Sequence, residues 1–244
     1  MRTLKLTVAY DGSRFVGWQR QAEGESIQGL IEAALTPIEG APVAVHGAGR
    51  TDAGVHALGQ VASVQIASSL DTATLTRALN AQLPPDIRIL IIEQKEHGFH
   101  ARFSARSKCY RYQFQVAAIA SPFERAYAWH LQDRLDIESM QAAAAVLIGR
   151  HDFAAFQSAG SPVTDTVRTV TRSEVRAGRL LAYEVCGSGF LRHMVRAIAG
   201  TLVEVGEGRR TPAGVASLLQ GGRRADAGRT APPHGLFLVG VDYD

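Results

Sequence analysis

Residues 46–61 read HGAGRTDAGVHALGQV. Gly47, Gly49 and Gly54 surround Arg50, Thr51 and Asp52. Glycines this close together permit tight turns and positive φ, so the backbone can approach a ligand or another chain closely. The charged residues are thereby presented on an organised loop. The stretch is not a dinucleotide-binding fingerprint, because its third glycine is misplaced. Nor is it a phosphate-cradling P-loop, because Val55 follows Gly54 where a lysine belongs. Spacing alone is equally compatible with a plain connection in which Asp52 caps a turn and Arg50 is solvated.

Outward from this loop the hydrophobic pattern alternates between strand and helix periods. A strand follows over residues 60–66. Upstream, Leu4, Leu6 and Val8 alternate with Thr3, Lys5 and Thr7, the period of a half-buried strand that ends at Asp11-Gly12. Ser26 then caps an amphipathic run in which Ile27, Leu30, Ile31, Ala34 and Leu35 share one face. Downstream, Asp71 opens a helix through Leu75, Leu79 and Leu83, stopped by Pro84-Pro85, and residues 87–92 read as a buried strand. The first third is therefore β-α-β-α-β. The pattern restarts at Lys108, where Tyr110, Tyr112, Phe114 and Val116 give a strand one aromatic face. An alanine-rich helix is expected over 137–148, a hairpin over 166–186, a long helix over 190–205, a short helix from Thr211-Pro212 and a closing strand over 235–243. Strands and about two helices in each half indicate α+β layers of helices on antiparallel or mixed sheets. The polar stretch near residues 100–107 divides them into subdomains 1–104 and 105–244.

The composition of the 244 residues, 46% hydrophobic and 20% charged, excludes disordered, collagenous and small disulfide-stapled classes. The N-terminus reaches a charged turn within eleven residues, too soon for a signal peptide, and no run approaches the roughly 18 apolar residues of a membrane span. With only Cys109 and Cys186, the reading is a cytoplasmic protein with reduced thiols. The eight histidines are scattered and lack ligand spacing, so no metal is expected. Lys5, Lys95 and Lys108 are the only lysines, so 23 of the 26 basic residues (26 − 3) are arginines. Their planar forks suit phosphates and base edges.

The loop segment closely resembles the catalytic signature of the A class of tRNA pseudouridine synthases, centred on GRTDAGVHA. Four further segments resemble the same family in the same order: YDGSRFVGWQRQ (10–21), FHARFSARSKCYRYQF (99–114), GSGFLRHMVRAIAG (187–200) and APPHGLFLVGVDY (231–243). The resemblance covers nearly the whole chain. It implies two RRM-like α/β subdomains forming the pseudouridine synthase fold, a mixed and mostly antiparallel sheet with helices packed on it, and a central active-site cleft. It also implies a homodimer that acts without a cofactor on tRNA, isomerising uridines of the anticodon stem-loop at positions 38 to 40.

Residue by residue, the resemblance makes Asp52 the nucleophile in a reaction that breaks the uridine N1–C1′ bond and rejoins the uracil through C5. A carboxylate suits this, since it can form an adduct or stabilise positive character at C1′. Arg196 matches the basic residue that keeps the nucleophile charged, and Arg192, four residues earlier, would share its helical face and contact phosphate. Tyr110 matches the family's active-site tyrosine, which stacks beside the target base and is a candidate catalytic base for the departing C5 proton. Leu236, with Leu238 as the neighbouring alternative, matches the apolar position beneath that base. Arg50 matches the arginine that helps displace the nucleotide from its stack. Thr51, beside the carboxylate, is read as orienting it or capping a turn, and His56 as contacting RNA or filling space. The same sequence also admits an RNA-binding module in which Asp52 is structural, and a glycosidic hydrolase that would release free uracil.

Overall fold

The computed structural model describes residues 1–158, 160–161 and 163–243; residue 244, the expected end of the second subdomain, lies outside the described residues. In chain order the elements are β1 (Arg2–Tyr10), α1 (Ile27–Glu39), β2 (His46–Gly47), β3 (His56–Ile66), α2 (Thr72–Gln82), β4 (Ile87–Lys95), β5 (Ser107–Val116), β6 (Trp129–Leu131), α3 (Ile137–Ala145), β7 (Gly149–Asp152), β8 (Val167–Arg176), β9 (Leu181–Gly187), α4 (Met194–Gly206), α5 (Pro212–Leu218) and β10 (Leu236–Asp242). The fold is α+β, with mixed, mostly antiparallel strand pairing, as expected. Among the described residues no helix is long and apolar enough to cross a membrane. The chain divides into two compact units, Met1–Arg106 with Phe237–Asp244, and Ser107–Leu236.

In the first unit β1 lies between β3 and β4, antiparallel to both, with β2 on β3. Leu4, Leu6 and Val8 on alternate positions of β1 are fully buried, each contributing roughly 1.5–3 kcal/mol of apolar burial. The Ser26 side chain caps α1 by accepting the Gly29 N–H, and Ile27, Ile31 and Leu35, four residues apart, are fully buried along it. Asp71 caps α2 in the same way through Thr74. The closing strand β10 pairs in parallel with β3, Phe237 opposite His56 and Leu238 opposite Ala57. That ladder attaches the C-terminal residues to the first unit, whereas the sequence division at 104/105 had kept them with the second half.

Within the second unit the strand order is β5-β9-β8-β7, antiparallel throughout, with β6 parallel to β5. Helix α3 rests on β8, α4 and α5. Tyr112, Phe114 and Tyr183 are fully buried. The thiols expected to be reduced are joined instead: Cys109 on β5 and Cys186 on β9 stand opposite each other with Cα atoms 4.1 Å apart, forming a disulfide. Their separation of 77 residues conceals a pairing that the antiparallel register alone brings about.

Candidate active site

The segment 48–55 leaves β2 and enters β3. The Val55 N–H donates to the Asp52 carbonyl at 3.2 Å, and Gly54 has φ +76°. Asp52 therefore opens a four-residue turn whose third position demands a left-handed residue, which the glycine of TDAG supplies. The carboxylate-bearing residue is half-buried at the head of that turn.

The loop between β1 and α1 supports this turn from below. The Trp18 N–H donates to the Thr51 carbonyl at 3.1 Å. Gly17, at φ +105°, passes so close that a Cβ there would lie 2.6 Å from the same oxygen. Thr51 is itself buried, its hydroxyl 2.8 Å from the Tyr10 hydroxyl. Burial pushes the Tyr10 phenol up to about 12, against the smaller opposing pull of its bonds to Thr51 and Gln60. Thr51 thus ties the backbone beside Asp52 to Trp18 and Tyr10. His56 stands differently: it is 1% exposed, stacks on Phe237 at 4.7 Å, and its Nδ1 accepts the Gly12 N–H at 3.0 Å. That bond ties the ring to the 10–12 corner. Arg50 is exposed.

The second unit carries the other expected residues. Tyr110 on β5 is 8% exposed and meets Phe190 edge-on at 5.1 Å. Two residues on, the Tyr112 hydroxyl donates to the Pro232 carbonyl at 2.8 Å, and burial pushes this phenol up despite the nearby Arg196 and Arg229 cations. Arg196 sits in the first turn of α4, its Nε donating to the Ala231 carbonyl at 2.8 Å while the Ala231 N–H donates back to the Arg196 carbonyl at 3.0 Å. Leu236, buried, begins β10.

The long helix expected over 190–205 starts later, at Met194, because His193 at its N-cap adopts φ +63°. Arg192 consequently lies outside the helix and shares no helical face with Arg196; it is exposed, and its carbonyl accepts the Ser158 N–H at 3.0 Å. A side chain other than glycine in the left-handed region is a strained position of the kind that collects at functional sites. Sequence reasoning passed over His193, Tyr10, Trp18 and His234. Burial, and then the Arg196 cation, hold the His234 imidazole below its ordinary range. All four lie within the segments that carry the resemblance, which was the available signal; for Tyr10 and Trp18 no periodicity distinguishes support of a loop from ordinary core packing.

Among the described residues no group of three or more His, Cys, Asp or Glu could hold a metal ion. The family model described as tRNA pseudouridine synthase matches residues 6–104 and 143–244. The chain belongs to the tRNA pseudouridine synthase family. Its relatives include the tRNA pseudouridine synthase A of Geotalea uraniireducens, 48% identical over 244 residues and covering 100% of both chains. That of Citrifermentans bemidjiense is 43% identical over 100% of this chain and 98% of the relative. That of Myxococcus xanthus is 44% identical over 100% and 92%. A solved archaeal box H/ACA sRNP Nop10-Cbf5 complex aligns with 82% of this chain and 44% of the solved one at TM-score 0.37 and 12% identity, too low to bear on the fold. As a member of the pseudouridine synthase family the chain is an isomerase converting uridine to pseudouridine in tRNA. The matched segments contain Arg50, Thr51, Asp52, His56, Arg192, Arg196 and Leu236, while Tyr110 lies in the stretch between them.

Proposed function

We propose that this pseudouridine synthase modifies uridines 38, 39 and 40 in the anticodon stem-loop, with Asp52 as the nucleophile, acting as a cytoplasmic homodimer. The observation that carries the assignment of Asp52 is its turn: a half-buried aspartate whose neighbouring backbone is tied to Trp18 and whose neighbouring hydroxyl is tied to Tyr10. Such a carboxylate is preorganised, so little reorganisation accompanies attack or stabilisation of charge at C1′. Arg196 is the basic partner of the carboxylate, Tyr110 the ring against which the target base stacks, and Leu236 the apolar floor. Arg50 assists extrusion of the nucleotide and Arg192 contacts phosphate. After the N1–C1′ bond breaks, the uracil turns and C5 bonds to the sugar, and the C5 proton is then lost to solvent.

Tritium release from tRNA labelled at uridine C5 tests this, because C5 loses its hydrogen only when the base is reattached there. Wild type should release tritium while Asp52→Ala does not, with tRNA affinity kept within a few fold. Substantial turnover by Asp52→Ala removes the nucleophile assignment, and free uracil among the products would make the enzyme a hydrolase. Mapping pseudouridine in the treated tRNA locates the modified positions; sites outside 38–40 overturn the anticodon assignment.

A further inference from the structure

A second aromatic feature of the first unit lies outside the catalytic turn. His46, exposed on β2, stacks on His100 with ring centroids 5.2 Å apart and planes 27° apart. The His100 ring lies 4.5 Å from that of Phe103, which is 78% exposed, and the Arg102 guanidinium stands 5.7 Å from the same ring. Three rings and a cation thus form one continuous surface run.

The backbone beneath them is fixed. His100 Nδ1 accepts the N–H groups of Arg102 at 3.1 Å and Phe103 at 3.4 Å, and the Ser104 hydroxyl accepts the His100 N–H at 3.1 Å. Fully buried Ala101 donates its N–H to the Ser63 hydroxyl at 3.0 Å and accepts the Tyr243 hydroxyl at 2.7 Å. Ser63 is the residue opposite His46 in the β2–β3 ladder, so one hydroxyl ties the strand to the turn. Ala48, two residues beyond His46 on the way to Arg50 and Asp52, packs with Ala101 and Val61 in a small core flanked by Tyr243. Because Nδ1 is an acceptor, the neutral imidazole carries its proton on Nε2. Burial, and then the neighbouring His46, hold His100 below its ordinary range and favour that neutral form.

A lone exposed phenylalanine needs no explanation. An exposed phenylalanine on a rigid turn, continued by two stacked imidazoles and bordered by Arg102, with Arg50 and Arg106 also exposed, has the chemistry of a nucleobase platform: π faces for stacking and guanidinium groups for phosphate. We propose that His46, His100 and Phe103 form a stacking site for an unpaired base of the tRNA other than the target uridine, with Arg102 on its phosphate. This rests on tRNA being the substrate. The site carries affinity and register and takes no part in bond making.

The test measures the affinity of the full-length protein for a tRNA transcript over a range of salt concentrations. Phe103→Leu, which keeps an apolar side chain but removes the π face, should weaken binding about tenfold without changing the salt slope. Phe103→Trp should restore binding, and His46→Ala should weaken it several fold. Arg102→Gln should lower the salt slope by about one counterion. Unaltered affinity of Phe103→Leu, or failure of Phe103→Trp to restore it, overturns the platform while tritium release by wild type leaves the enzymatic reading standing. A changed oligomeric state in sedimentation of Phe103→Leu assigns the surface to a second copy of the chain and overturns it as well. A wild type that neither binds nor modifies the tRNA overturns both readings.

Discussion

Asp52 takes its position from its neighbours: Gly54 turns the chain, Trp18 holds the carbonyl of Thr51, and Tyr10 holds the Thr51 hydroxyl. Gly17→Ala would place a methyl group 2.6 Å from that carbonyl at a φ of +105°. The left-handed penalty alone is about 1–2 kcal/mol, and displacing the loop that holds the proposed nucleophile should lower kcat by up to about 100-fold. Urea unfolding and tritium-release kinetics should show both losses together, and wild-type kcat in a folded variant would detach the loop from this support. At the start of α4, His193→Gly should leave stability within about 1 kcal/mol of wild type. His193→Val, β-branched at φ +63°, should lose about 1–2 kcal/mol together with activity through displacement of Arg196. Equal stabilities of the two variants would show that the backbone relaxes there at no cost. The motifs single out Asp52 and Arg196 as candidates. The sequence could not show that Arg192 leaves the helix, because nothing in the helical period anticipates a left-handed histidine.

At the scale of elements, the β5–β9 ladder sets Tyr110 opposite Val185, one residue from the Cys109–Cys186 bridge. A cross-link closing 77 residues of chain removes denatured-state freedom worth about 2–4 kcal/mol. Cys186→Ser and the double serine variant should therefore unfold at the same, lower urea concentration. Added reductant should bring wild type to that level, and coincident midpoints with and without reductant would mean that the bridge adds nothing. The alternation of Tyr112 and Phe114 was legible as a strand because a half-buried strand shows its period in sequence. The partner strand was not legible, because register is a tertiary choice.

For the whole molecule, burial raises the phenols of Tyr10, Tyr112, Tyr183 and Tyr243 and lowers the imidazoles of His100 and His234. A phenol raised in the folded state stabilises fully below its ordinary value near 10 and loses that contribution as pH climbs through the folded value. An imidazole lowered in the folded state favours folding above about 6.5, and stability drops as pH falls from there toward the folded value. Hydrogen bonds to Ser139 and Thr74 hold Asp136 and Asp71 low, so their contribution disappears only at still more acidic pH. Urea midpoints should accordingly be level between about pH 7 and 10 and decline on both sides. An optimum near pH 5 would contradict the direction assigned to both histidines.

The sequence by itself determined the α+β order, the capped helices at Ser26 and Asp71, and the family, because each is written in local spacing or in contiguous motifs. Only the tertiary structure decided that β10 pairs with β3, that Cys109 meets Cys186, that His56 is buried against Phe237, and that His46 stacks on His100. These residues are separated by 54 to 181 positions (100 − 46 and 237 − 56). What joins them is strand register and side-chain packing, which depend on the whole folded chain rather than on any stretch of it.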